Sequence, residues 1–176
     1  MTLTVEILKN ICPYASTANL QKYIDPLNEY MDAFAINTPL RVRHFIAQVA
    51  HESGSFNYVV ELADGSAYEG RKDLGNIYAG DGVKFKGRAL IQITGRDNYR
   101  KCSQALLGND MLLNDPTLLE EPQLAVEAAC WFWQTHGLNL IADTDNINLI
   151  TNRINGGYKG LASRLDFYKK AKQFIN

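Results

Sequence analysis

The sequence predicts an α+β fold, predominantly α-helical with one small β element, and three features carry that prediction. Several segments pair a good N-cap with apolar residues at i, i+3, i+4 and i+7, the pattern of one buried helix face. Between about residues 58 and 94 that spacing is lost, and six glycines fall there, at 65, 70, 75, 80, 82 and 87. Within the same stretch Val83, Phe85, Ala89, Ile91 and Ile93 alternate as the residues of a half-buried hairpin would.

Residues 4–11 read as a short helix opened by Thr4 and stopped before Pro13. Ser16 or Thr17 can cap a second, and Asp25-Pro26 is expected to restart the run through Leu27, Tyr30, Met31 and Phe34. The third helix has the clearest start: Thr38 is a good N-cap, and Pro39 sits at the first helical position, where a missing N–H costs nothing. Val42, Phe45, Ile46 and Val49 then form one face, and Gly54 ends the helix. After the glycine-rich loops, helices are expected to resume near Asp97, from Pro122 to His136, around Asn146 to Ile154, and from about Lys159 to Phe174. Trp131 and Trp133 face different ways on the second of these stretches, so one belongs to the core.

No internal repeat, low-complexity stretch or linker interrupts the 176 residues, which are expected to form one domain. The chain is 46% hydrophobic and 21% charged, with a formal net charge of -1. Such a balance excludes bulk attraction to nucleic acid or anionic lipid, so partner choice must come from a local site. Cys12, Cys102 and Cys130 show no metal-ligand spacing, and an odd number fits thiols in a reducing compartment. The N-terminal MTLTVEILKN lacks a basic segment followed by an apolar one, and no run approaches a membrane span. The expectation is a chain made in a cytoplasm and released to its place of work, monomeric, without stable membrane insertion or nucleic-acid partners.

Chemistry is sought first in the stretch VAHESGSFNYVVE, where Glu52 and Glu61 stand nine residues apart. At roughly 100° per residue, Glu52 lies about 20° from Phe45 and about 60° from Val49 around the helix. It therefore points with the buried face, where lost hydration favours the protonated carboxyl that a general acid needs. The competing reading is an ion pair with an arginine. Glu61 follows in VVELADG, on a loop, where it is either a base acting on water or a solvated charge. Glu69 is a rival, but Arg71 and Lys72 beside it favour an ion pair. The zinc-protease motif HExxH fails at Ser55, and His44, His51 and His136 make a poor metal set, so no metal and no cofactor are expected. Cys130 sits in an apolar run and reads as core. Tyr58, Tyr68, Tyr78, Phe85 and Tyr99 either stack on a bound ligand or pack locally. Arg88 reads equally as a substrate ligand or as an ion-pair partner for Glu52 or Glu69.

Three stretches then carry a resemblance: FIAQVAHESGSF at 45–56, GDGVKFKGRALIQITGRDNY at 80–99 and NRINGGYKG at 152–160. Together, in this order, they resemble glycoside hydrolase family 19, plant-type chitinases and bacteriophage endolysins. The short YEGRKDLGN segment and IDPLNEYMDAFAINTP are similar to the compact phage-type members. The resemblance implies one catalytic domain over residues 1–176 with no separate wall-binding domain, in a lysozyme-like, two-lobed fold with the small β-hairpin beside a catalytic cleft. It implies Glu52 as general acid, Glu61 as general base, and Thr94 holding the attacking water. Gln92 and Asn98 would line the substrate cleft beside His51, and Asn155 and Arg164 would support the sugar site and the base. One departure is Ala89, where FKGRALIQITG replaces the commoner YRGRGLIQLTG.

The implied activity is hydrolysis of β-1,4 bonds between N-acetylated sugars in peptidoglycan, as in an endolysin or an antibacterial effector of the same fold. An inverting course is expected, which places the two carboxyl groups roughly 6.5–9.5 Å apart. The implied partners are peptidoglycan glycan strands or chitin oligosaccharides. Alternatives are a chitinase, a lytic transglycosylase working with one glutamate, and a non-catalytic glycan-binding module.

Overall fold

The structure is a computed structural model, and it describes residues 2–176. Ten α-helices follow one another among the described residues: α1 Val5–Ile11, α2 Thr17–Ala33, α3 Pro39–Glu52, α4 Asp81–Lys84, α5 Arg96–Leu107, α6 Met111–Asn114, α7 Pro122–Thr135, α8 Leu138–Ala142, α9 Ile147–Asn155 and α10 Leu161–Phe174. Single 3-10 turns lie at Ser66–Tyr68, Lys72–Leu74 and Pro116–Glu120. No helix among the described residues is long and apolar enough to cross a membrane.

Two compact units divide the chain. The first comprises residues 1–57 and 130–176, of which residue 1 lies outside the description. Its helix starts follow from the caps: Thr4, Ser16, Thr38 and Asn146 each accept a backbone N–H of the first turn. In this unit α10 packs along α3, and α1, α8 and α9 complete the layer. Phe45 meets Trp133 edge to face at 5.3 Å, and Val42, Ile46, Val49, Leu20 and Leu27 are fully or almost fully buried with them. Trp133 is thus the core tryptophan, its indole N–H donating to Asn139 at 2.9 Å. The expected break at Asp25-Pro26 does not occur. The apolar face Leu20, Tyr23, Leu27 and Met31 runs past Pro26, and burial of the ring on that face offsets the lost helix hydrogen bond.

The second unit comprises residues 58–129. Phe85, Leu90, Ile93, Tyr99, Leu112 and Leu119 form its core. The expected β-hairpin is absent; isolated bridges join Arg88 to Val60 and to Ile93, and no strand forms around them. The reasons are local. Ala89, Leu90 and Ile91 are all buried, which no pleated alternation allows, and Val83 is exposed in the single turn of α4. Ala89 and Gln92 adopt left-handed backbone, at φ 65° and 61°.

Candidate active site

In the first unit the site is built on the end of α3. Glu52 is its last residue and is half-buried, as the helix arithmetic requires. Arg164, in the first turn of α10 and 2% exposed, donates from Nη2 to Glu52 Oε1 at 2.5 Å and from Nη1 to Gln48 Oε1 at 2.5 Å. Gln48 lies one turn before Glu52 and reaches Thr151 of α9 through its amide nitrogen at 3.5 Å. One planar guanidinium therefore joins α10 to α3 at the carboxylate, and Gln48 extends the network to α9. The ion-pair reading of Glu52 is realised, with Arg164. The arginine is sealed beneath Glu52, so within its unit it holds the expected acid and presents no free face to a sugar.

His51 shares this corner. Its Nδ1 lies 3.0 Å from the Ser163 hydroxyl, and its ring occupies the space above Gly160. A Cβ on Gly160 would stand 2.3 Å from His51 Nε2, and φ there is +75°, so only glycine fits the start of α10. Burial first, and then the Arg164 charge, hold the His51 imidazole below its usual pKa. Asn155, at the end of α9, is exposed and donates only at 3.4 Å to the Lys159 carbonyl. Deeper in the unit, buried His44 stacks on Tyr168 at 4.3 Å, and both bond Asp145.

In the second unit the site is built around Gly87. Glu61 donates its N–H to the Gly87 carbonyl at 2.9 Å, and Gly87 N–H returns a bond to Glu61 Oε2 at 3.1 Å. Oε1 accepts the Tyr68 hydroxyl at 2.9 Å. A Cβ on Gly87 would lie 2.4 Å from Gln92 Oε1, 3.2 Å from Glu61 Oε2 and 3.3 Å from Thr94 Oγ1. Three of the expected residues thus converge on one backbone position that must stay bare. The Thr94 hydroxyl donates to the Gln92 carbonyl at 2.9 Å, and Asn98 binds the Thr94 carbonyl at 2.8 Å. Glu61, Gln92, Thr94 and Asn98 are all half-buried.

Glu69, Arg71 and Arg88, charged residues of this unit outside the Glu61 cluster, are held in contacts within the fold. Glu69 forms no pair with Arg71 or Lys72; both its oxygens accept the N–H groups of Gly80 and Gly82, at 2.7 and 2.8 Å, around the start of α4. Arg71 bonds Asp73 instead. Arg88 pairs with neither Glu52 nor Glu69 but with Glu120 at 2.8 Å, and it also bonds the Tyr99 hydroxyl and the Lys84 carbonyl. Tyr99 and Phe85 are wholly buried, so neither stacks on a ligand, while Tyr58 and Tyr78 remain exposed.

Two supports, Gln48 and Asn76, escaped the sequence reading, and Tyr68, read there only as a stacking or packing aromatic, donates to Glu61. Gln48 is a polar residue on an apolar face, the one available signal. Asn76 carried no signal beyond being polar in a glycine-rich segment. Among the described residues no group of three or more His, Cys, Asp or Glu side chains is placed to hold a metal.

Comparison with known proteins adds the following. The family described as chitinase class I of glycoside hydrolase family 19 matches residues 41–155. A glycosyl hydrolase family 19 domain-containing protein of Haemophilus influenzae is 32% identical over 156 residues, covering 71% of this chain and 75% of that protein. An Arabidopsis thaliana endochitinase is 30% identical over 173 residues, covering 90% of this chain and 56% of that protein, so the chain spans little more than half of that plant relative. The crystal structure of a bacterial family 19 chitinase superposes with a TM-score of 0.79 at 23% identity, over 100% of this chain and 96% of that one. Chitinase C of Streptomyces griseus gives 0.77 at 21%, over 98% and 76%. At these identities the solved structures speak for the fold alone.

Proposed function

The chain belongs to glycoside hydrolase family 19, and on that premise we propose that it cleaves β-1,4 bonds of peptidoglycan glycan strands by acid/base catalysis with inversion. As a family member it is an O-glycosyl hydrolase of chitinase-like type. In the proposed reaction Glu52 gives its proton to the leaving glycosidic oxygen. Glu61 takes a proton from water, whose oxygen bonds to the anomeric carbon as the old carbon–oxygen bond breaks.

One observation carries the hydrolytic part. The Thr94 proton is already donated to the Gln92 carbonyl, so Thr94 Oγ1 is left as an acceptor, near Gly87 together with the acceptor-only Glu61 carboxylate. A water donating one proton to each turns its lone pair away from both, towards an electrophile. A group of this kind suits activation of water better than the water-free chemistry of a lytic transglycosylase.

Peptidoglycan is placed first because the compact YEGRKDLGN segment carries the likeness to phage-type members. Chitin is the second reading, supported by the endochitinase names of the plant relatives. The test is mass spectrometry of soluble products from purified Gram-negative peptidoglycan, with wild type, Glu52→Gln and Glu61→Gln in parallel. Reducing N-acetylmuramic acid ends, lost in both variants, are expected. Anhydro ends that survive Glu61→Gln would make the chain a transglycosylase. Cleavage of chitin oligomers alone would move the substrate to chitin, and intact activity in Glu52→Gln would end the acid/base reading.

A further inference from the structure

We propose that Tyr68 is a positioning residue for Glu61, fixing Oε2 as the oxygen that receives the proton of water; the inference rests on the reading of Glu61 as general base. The terminal torsion of a glutamate is soft and nearly two-fold, so a free carboxylate exchanges its oxygens readily. Here each oxygen has its own donor: the Tyr68 hydroxyl on Oε1 and the Gly87 N–H on Oε2. Of the two oxygens Oε2 is the nearer to the bare face of Gly87, where it lies with Thr94 Oγ1 and Gln92 Oε1. Engaging Oε1 from the other side therefore leaves Oε2 as the oxygen aimed at the water.

Tyr68 is itself held firmly enough to do this. It ends the Ser66–Tyr68 turn, which Gly65 opens at φ 90° with no room for a side chain; a Cβ there would stand 2.5 Å from the Gly82 carbonyl oxygen. The Tyr68 carbonyl accepts the side-chain N–H of Asn76 at 2.9 Å. Asn76 is completely buried, and its oxygen accepts the Arg96 N–H at the start of α5, at 2.8 Å. That helix begins two residues after Thr94, so one buried amide ties the tyrosine's turn to the threonine's segment. Burial, and after it the bond to Glu61, push the phenol pKa up, which keeps the hydroxyl a donor through neutral pH.

The test compares wild type, Tyr68→Phe and Glu61→Gln in pH–rate profiles on purified Gram-negative peptidoglycan and on N-acetylglucosamine oligomers. A carboxylate that loses a donor holds its proton more tightly. In Tyr68→Phe, kcat is expected to fall on the order of tenfold or more with KM unchanged, and the acid limb to move to higher pH. A merely structural tyrosine would lower thermal stability and leave that limb in place. Wild-type kcat and acid limb in Tyr68→Phe, alongside an inactive Glu61→Gln, would overturn the positioning role while sparing the base. Wild-type rates in Glu61→Gln would overturn the base reading and this inference together. Should Tyr68→Phe fail to fold, fluorotyrosine at position 68 keeps the ring and strengthens the donor. It is expected to move the acid limb to lower pH, and an unmoved limb would overturn the proposal.

Discussion

The two units hold their glutamates by opposite means. In the first, Glu52 ends a regular helix and meets a charged partner, the buried Arg164 guanidinium. In the second, Glu61 lies on irregular backbone and meets neutral donors, a phenol and a main-chain N–H. The first arrangement depends on charge and on packing between helices. The second depends on backbone conformation, on a glycine that leaves space and on a buried amide that ties two loops. Damage to the first should therefore register mainly in stability, and damage to the second mainly in rate.

The largest expected effect tests the first half of that contrast. Arg164→Ala strands Gln48 and leaves the half-buried Glu52 carboxylate without its counter-charge. Breaking such a pair costs about 3 kcal/mol, read as a lower midpoint in urea unfolding. A loss below about 1 kcal/mol would put Arg164 among ordinary surface pairs and break the comparison. Next comes Gly87→Ala. Its methyl group would displace Gln92 Oε1 and crowd Glu61 and Thr94. Turnover should fall on the order of 10²-fold with a smaller change in melting temperature, measured on the same preparation. Equal losses in both variants and both measurements would mean that the two halves do not differ in kind.

The smallest effect sharpens the backbone argument. Ala89 sits at φ 65° with a fully buried side chain, where a Cβ is strained. Ala89→Gly relieves that strain, about 1–2 kcal/mol. Against it stand the added unfolded-state entropy and the lost buried methyl, each about 0.5–1 kcal/mol, so stability in thermal unfolding is expected to change by less than about 1 kcal/mol. This variant also restores the residue found in the commoner form of the motif.

The helical half of the fold was legible because its signals are local. Thr38-Pro39 marks the start of α3, the apolar spacing gives its face, and Glu52 follows by rotation. Partners distant in the chain left no such trace: nothing around Glu52 points to an arginine 112 residues away. The segment from Gly87 to Thr94 misled because its apolar alternation is real in the sequence. The backbone instead follows left-handed turns at Ala89 and Gln92, set by Arg88 with Glu120 and Tyr99 and by Gly87 with Glu61. Pro26 misled in the other direction, since the packing of α2 outweighed a local breaking signal.

The order in which the chain emerges gives the split first unit a further meaning. Its two segments, up to residue 57 and from residue 130, are separated by the whole of the second unit. The Glu61 ring can close once the ribosome has released Gly87, 26 residues further on, whereas Glu52 waits 112 residues for Arg164. At roughly 5–20 residues per second that is several seconds or more during which the end of α3 lacks its clasp. The second unit can thus be in place before the first is able to finish. Synthesis itself sets the timetable, with the surroundings of Glu61 assembled early and Glu52 among the last parts to be secured.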